Sequence, residues 1–215
     1  MYGRPAEIWC YVQFESVVKL AHFYGALPSM SQALSAGTIF DYRPFIENIP
    51  QQWVQLFVMA VLLRDQVLFR ECIIHSTRPW TNPRYRTLRD PILKEIAQKA
   101  YLGIVERVTR VRILIGAGVV VKGIDQTVLL RDFCTSQKAE GIRVVTPMMY
   151  RHLLTQSGDD LPGDLKGHLE KLLCSKLTFY GGDDVAGGHG SFHNSFLCAE
   201  VADEDLPWDL NEKEW

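Results

Sequence analysis

The sequence has no pair of cysteines close enough for metal or redox chemistry. Its five cysteines are scattered at Cys10, Cys72, Cys134, Cys174 and Cys198, and no CxxC motif is present. Zinc knuckles and dithiol redox motifs are therefore excluded. The count is odd, and Met1-Tyr2-Gly3-Arg4-Pro5 is not the charged-then-apolar start of a leader. Free thiols in a reducing intracellular compartment, cytoplasm or nucleus, are expected. Long apolar runs are missing too. The longest, residues 53–63, contains Gln55 and ends at Arg64. A bilayer span needs about 20 such residues, so a buried helix is expected and membrane association is not. Strong charge of either sign is also lacking. A formal net charge of -2 gives no general pull toward nucleic acid or anionic lipid.

What is present is the composition of a folded protein. Hydrophobic residues make up 47% and charged residues 22% of 215 residues, a balance unlike that of disordered chains. Helical spacing dominates. In residues 6–24, Ile8, Val12, Val17, Leu20, Ala21 and Tyr24 form one apolar face, closed by Gly25. A short helix is expected over residues 30–36, and another from Pro50 through Leu63. Asp65 then caps a helix through about His75. Residues 76–90 read as an irregular connection. Asp90-Pro91 is the strongest start signal, because aspartate accepts first-turn N–H groups and a first-turn proline needs none of its own. From it Leu93, Ile96, Ala97, Ala100, Ile104, Val108, Val111 and Ile115 trace a continuous stripe. Further helices are expected after Asp125, after Thr146-Pro147, and after Asp164 with Leu165, Leu169, Leu172 and Leu173 inward. A lone β-branched run, residues 119–121, makes no sheet. Residues 181–190 are glycine-rich, a short amphipathic piece follows through residue 199, and the end is acidic.

Three stretches carry a family resemblance. Val17-Val18-Lys19-Leu20-Ala21-His22-Phe23-Tyr24-Gly25-Ala26-Leu27-Pro28 is the first. Leu68-Phe69-Arg70-Glu71-Cys72-Ile73-Ile74-His75, with Pro79-Trp80 shortly after, is the second. Asp203-Glu204-Asp205-Leu206-Pro207-Trp208-Asp209 is the third. In this order they resemble the C-terminal region of fungal BTB/POZ domain-containing proteins. The resemblance implies a BTB-like terminal helix pair over residues 1–36, a helical extension over 37–200 and an acidic tail over 201–215. It implies a protein–protein interaction role, as an adaptor or scaffold. The small sheet and first helices of a BTB core have no counterpart in these residues. Most of the family's dimerisation surface lies there, so BTB-based pairing and cullin-scaffold docking carry little weight for this chain.

Candidate chemistry is sparse. Asp183, Asp184, His189 and His193 crowd one loop and are the best metal candidates, suited to a metal-dependent hydrolase. Glycines around His189 argue against the helix that would align HxxxH ligands, so no metal is expected. Gly116-Ala117-Gly118-Val119-Val120-Val121-Lys122-Gly123 follows a helix and lacks GK[ST] or GxGxxG spacing, so it is no phosphate loop. Cys72 and His75 share a helix face, but an apolar setting keeps such a thiol inert. Arg78, Arg84, Arg86 and Arg89 interleave with Trp80 and Tyr85, a pattern that grips nucleic acid when the rings are exposed. Binding through residues 78–89 is an alternative reading, less favoured than a solvated loop.

The expectation is an all-α fold of about eight helices around one core, with no catalytic residue, cofactor or metal. The partner is expected to be a protein of unspecified identity, with self-association open. Leu206, Pro207 and Trp208 are the candidate interaction residues, because a solvated acidic tail has little use for leucine and tryptophan. They dock on the chain's own helices or on a partner.

Overall fold

The computed structural model describes residues 11–35, 43–117, 126–140, 145–157, 161–174, 176–179, 197–210 and 212. Among these residues the fold is all-α, with eight α-helices packed together and no strand. Helices α1 (Tyr11–Phe23) and α2 (Leu27–Ser35) are joined by a tight glycine turn. Gly25 sits at φ 65°. Its N–H donates to His22 O at 3.2 Å, and the Ala26 N–H donates to Ala21 O at 2.7 Å. Those two bonds occupy carbonyls that the end of a helix otherwise leaves open. The second helix starts at Leu27 rather than near residue 30, since Pro28 is harmless in a first turn.

Helix α3 (Arg43–Leu62) corrects the expected start at Pro50, which lies inside the helix. An interior proline costs about 3 kcal/mol. Phe45 and Ile49, in the turns before it, are fully buried. Their burial contributes roughly 1.5–3 kcal/mol each, enough to offset the proline. They continue one stripe with Trp53, Leu56, Ala60 and Leu63, all buried. Phe45 also meets Phe14 of α1 edge-on, with ring centroids 5.3 Å apart.

Helix α4 (Gln66–Ser76) folds straight back on α3. Arg64 takes the left-handed conformation at φ 50°. Its N–H bonds Val61 O at 3.1 Å and the Asp65 N–H bonds Ala60 O at 2.9 Å, the same closure as at Gly25. Asp65 then caps α4, accepting from the Leu68 N–H at 2.8 Å. The connection that follows holds a 3-10 turn, Arg84–Thr87, and buries Tyr85 and Leu88.

Helix α5 (Pro91–Gly116) starts as the sequence indicates. Asp90 accepts from the Ile92 and Leu93 N–H groups, and Leu93, Ala97, Ala100, Ile104, Val108 and Val111 are buried. Helices α6 (Gln126–Ala139), α7 (Thr146–Ser157) and α8 (Gly163–Leu173) complete the body. In α8 the four expected leucines are buried, but Pro162 stands at the cap and Asp164 lies two positions past it, inside the first turn. Residues 197–199 are buried and irregular, and the Cys198 N–H donates to Leu172 O at 2.8 Å. No helix among the described residues is long and apolar enough to cross a membrane.

Candidate functional site

Helix α1 is apolar on two sides. Phe14 and Val18 sink into the core. Val12, Leu20, Phe23 and Tyr24 face away from it, 64%, 56%, 80% and 75% exposed. Val17 lies beside them at the edge of the stripe. The face that hydrophobic spacing marks as inward, with Val12, Val17, Leu20 and Tyr24, is thus the outer one. The chain buried the phenylalanine side instead, because Phe14 completes an aromatic contact with α3. Polar cover on the outer face is slight: Ser16 turns its hydroxyl back to Val12 O at 2.8 Å, and Lys19 pairs with Glu15 at 2.6 Å.

A second surface lies where the C-terminal segment crosses α4 and α5. Four of its acids are paired rather than merely solvated. Arg70 binds Asp203, Lys99 binds Asp205 and Arg107 binds Glu200, while Arg64 meets Glu212 at 3.1 Å. Exposed ion pairs of this kind set register more than stability. The apolar anchors supply the hold. Leu206 is buried, Pro207 is exposed, and Trp208 is half-buried with its ring edge-on to Phe69 at 5.1 Å. Phe69 in turn meets the core residue Phe57 at a tilt, with ring centroids 4.8 Å apart. Of the three candidate interaction residues, Leu206 is thus buried in this chain's own core and Trp208 lies against α4, while Pro207 faces solvent. The basic partners Arg64, Arg70, Lys99 and Arg107 carry no sequence motif. Only their opposition to a distant acidic stretch marks them.

Helix α4 also carries a buried polar pair, in which His75 is a candidate by its spacing to Cys72 but Glu71 is not. Glu71 and His75, one turn apart on α4, are 1% and 0% exposed. Glu71 Oε1 accepts the Phe179 N–H at 3.0 Å, and Oε2 is 3.9 Å from His75 Nε2. Burial raises the Glu71 carboxyl to about 7, against the opposing pull of the Phe179 and Thr178 N–H groups. Burial drives His75 well below its ordinary value, with Arg78 and Arg84 adding to the effect. Both groups thus favour their neutral forms, and the proximity is not an ion pair. Cys72 is fully buried, which lifts its thiol well above the usual range, and Cys198 is pushed up to about 12. Neither is a poised nucleophile.

The arginine-rich connection turns its rings inward. Tyr85 is buried beside Tyr101, with centroids 5.5 Å apart, and Tyr101 donates its hydroxyl to Trp80 O at 3.0 Å. Arg112 lies over the Trp80 ring at 5.6 Å, and Arg84 donates to Pro50 O at 2.9 Å. Arg86 and Arg89 remain exposed. The rings are not offered as stacking platforms. The metal candidates Asp183, Asp184, His189 and His193 lie outside the described residues, as does most of the Gly116–Gly123 stretch. Among the described residues no group of three or more His, Cys, Asp or Glu is arranged to hold a metal ion. An open groove of about 320 Å³ runs between α6 and α7, lined by Phe133, Arg151 and His152 among others. Phe133 and His152 stack across it at 4.1 Å.

Set against known proteins, the chain matches no family model, no curated protein and no solved structure.

Proposed function

We propose that this chain is a protein–protein interaction module of the adaptor or scaffold kind, without chemistry of its own, and that α1 is its docking element. The observation that carries the reading is the outer stripe of α1: Val12, Leu20 and Phe23, with Tyr24 just past the helix end, are exposed on a helix already anchored from its other side by Phe14 and Val18. Large apolar side chains clustered on one exposed face mark contact surfaces far better than scattered ones do. Helix-face docking of this type reads as anchors at three- and four-residue spacing, which Leu20 keeps with Phe23 and with Tyr24, while Val12 stands about two turns earlier. The resemblance to fungal BTB/POZ proteins supports the same reading and suggests the cover, a BTB-type core packed on the α1–α2 pair.

The test is a titration of the chain with such a core, followed by calorimetry, using wild type and Leu20→Asp/Phe23→Asp. Exposed positions tolerate polar substitution with little effect, so the double variant is expected to keep the wild-type melting midpoint. Binding at micromolar concentration or tighter is expected for wild type, and loss by tenfold or more in the variant. A wild-type chain that ignores the core, stays monomeric at every concentration and binds no hydrophobic dye would sink the proposal.

A further inference from the structure

The geometry points to a second binding function: the basic groove between α4 and α5 is a receptor site for an acidic peptide bearing a Leu-Pro-Trp anchor. On this proposal, residues 200–212 are its resident ligand in cis, and a partner protein presenting a segment of the same chemistry displaces them. The inference is independent of the role given to α1.

Complementarity between groove and segment is specific in register. Along α5, Arg107 takes Glu200 and Lys99 takes Asp205, so the segment runs against the direction of the helix. Eight helical residues cover about 12 Å. Five fully extended residues cover up to about 17 Å. The difference is taken up by the 3-10 turn Asp203–Asp205, closed by the Leu206 N–H donating to Asp203 O at 3.2 Å. That turn aims two acids at two helices, Asp203 to Arg70 on α4 and Asp205 to Lys99 on α5. Leu206 and Trp208 then enter together, on either side of an exposed Pro207 that restricts the backbone between them. A charged rim around an apolar centre is the anatomy of a recognition site.

The receptor and the ligand are held in different ways, which is why they are separable. The groove walls belong to core helices, with Phe69 locked against Phe57. The segment is held by two apolar anchors and by ion pairs that each keep one more exposed member, Asp203 at 67% against Arg70 at 30% and Lys99 at 68% against Asp205 at 15% side-chain exposure. Ionic contacts of this sort favour fast, salt-sensitive exchange, while the anchors confer selectivity.

The experiment uses a fluorescent peptide of residues 200–212 and the full chain, read by anisotropy at low salt. The expected result is at least tenfold tighter binding to a chain carrying Leu206→Ala/Trp208→Ala than to wild type. Asp203→Lys/Asp205→Lys, which weakens the cis segment by charge alone, is expected to act in the same direction. Adding Arg70→Glu/Lys99→Glu to either chain should abolish binding, and a scrambled peptide should not bind. The proposal is overturned if folded tail variants bind the peptide no better than wild type, if binding survives Arg70→Glu/Lys99→Glu, or if the scrambled peptide binds equally. Loss of cooperative melting in both tail variants also overturns it, because a segment the fold requires is not an exchangeable ligand.

Discussion

The backbone N–H of Phe179 donates to the Glu71 carboxyl group at 3.0 Å, so a buried side chain in the middle of α4 holds the segment that follows α8. An acid in this position makes stability depend on pH. Its value rises from 4.5 to about 7 on folding, chiefly because burial penalises the charged form. Below pH 4.5 the group is protonated in both the folded and unfolded chains, and its contribution is fully retained. As pH rises toward 7, the unfolded chain releases the proton first, and stability falls by about 1.4 kcal/mol per pH unit. Above about 7 the loss is complete, on the order of 3 kcal/mol. Chemical denaturation of Glu71→Gln should give a higher midpoint than wild type at pH 7.5 and a flatter profile between pH 5 and 7. A wild-type slope that survives the substitution would assign the pH dependence to other groups.

The two left-handed closures make opposite predictions. Gly25 is exposed and at φ 65°, with nothing within 4 Å of where a Cβ would stand. Gly25→Ala therefore meets only backbone strain and should cost about 1 kcal/mol. Arg64 carries that same strain at φ 50°, offset in part by its contact with Glu212. Arg64→Gly relieves the backbone by about 1 kcal/mol and gives up an exposed ion pair worth roughly 0–1 kcal/mol. Urea denaturation should show Gly25→Ala less stable than wild type and Arg64→Gly equal to it or more stable. A Glu212→Gln background removes the ion pair, so Arg64→Gly should be more favourable there than in the wild-type background.

Helix starts offer a sharper contrast. Asp90 bonds two first-turn N–H groups, at 2.9 and 3.1 Å. Asp90→Ala should lower stability by about 1 kcal/mol. Asp164 makes no cap in α8, where Pro162 stands instead. Asp164→Ala keeps only a helix-dipole loss of a few tenths of a kcal/mol. Equal losses at the two positions, measured by thermal melting, would contradict this account of the helix starts.

Local signals made much of this fold legible. Asp65 and Asp90-Pro91 marked their helices because capping is a property of adjacent residues, and the α5 and α8 stripes are unbroken. Pro50 misled because its local penalty is outweighed by Phe45 and Ile49, whose burial depends on α1 and the rest of the core. The α1 faces were exchanged for a similar reason: spacing alone cannot rank the Phe14–Val18 side against the Val12–Leu20 side without knowing that Phe45 waits on one of them. Glu71 was invisible, since an acid inside a helix ordinarily faces water, and its partner Phe179 lies over a hundred residues away. The pairing of the acidic end is not legible in the sequence, because the opposing bases Arg70, Lys99 and Arg107 have no fixed spacing to it. Leu206 and Trp208 stood out only through being apolar where the surroundings are not.

The ring of Trp208 provides the last test. It packs edge-on against Phe69 at 5.1 Å, on the outer side of an aromatic ladder that continues to Phe57 and Trp53. An aromatic contact of this geometry adds roughly 0.5–1.5 kcal/mol beyond the area it covers. Burying a large apolar side chain fully contributes roughly 1.5–3 kcal/mol, and Trp208 is only half-buried. Trp208→Ala is therefore expected to cost about 2 kcal/mol. For a chain of this size that corresponds to a fall of roughly 4–8 °C in melting midpoint. Pro207→Ala is the control, because its side chain is exposed and its substitution should move the midpoint far less. Salt separates the anchor from the ion pairs: raising ionic strength screens Arg70–Asp203 and Arg107–Glu200 but leaves the ring contact in place. The midpoint difference between wild type and Trp208→Ala should then persist at high salt. If it vanishes there, the charged rim, and not the tryptophan, is what keeps the segment on α4.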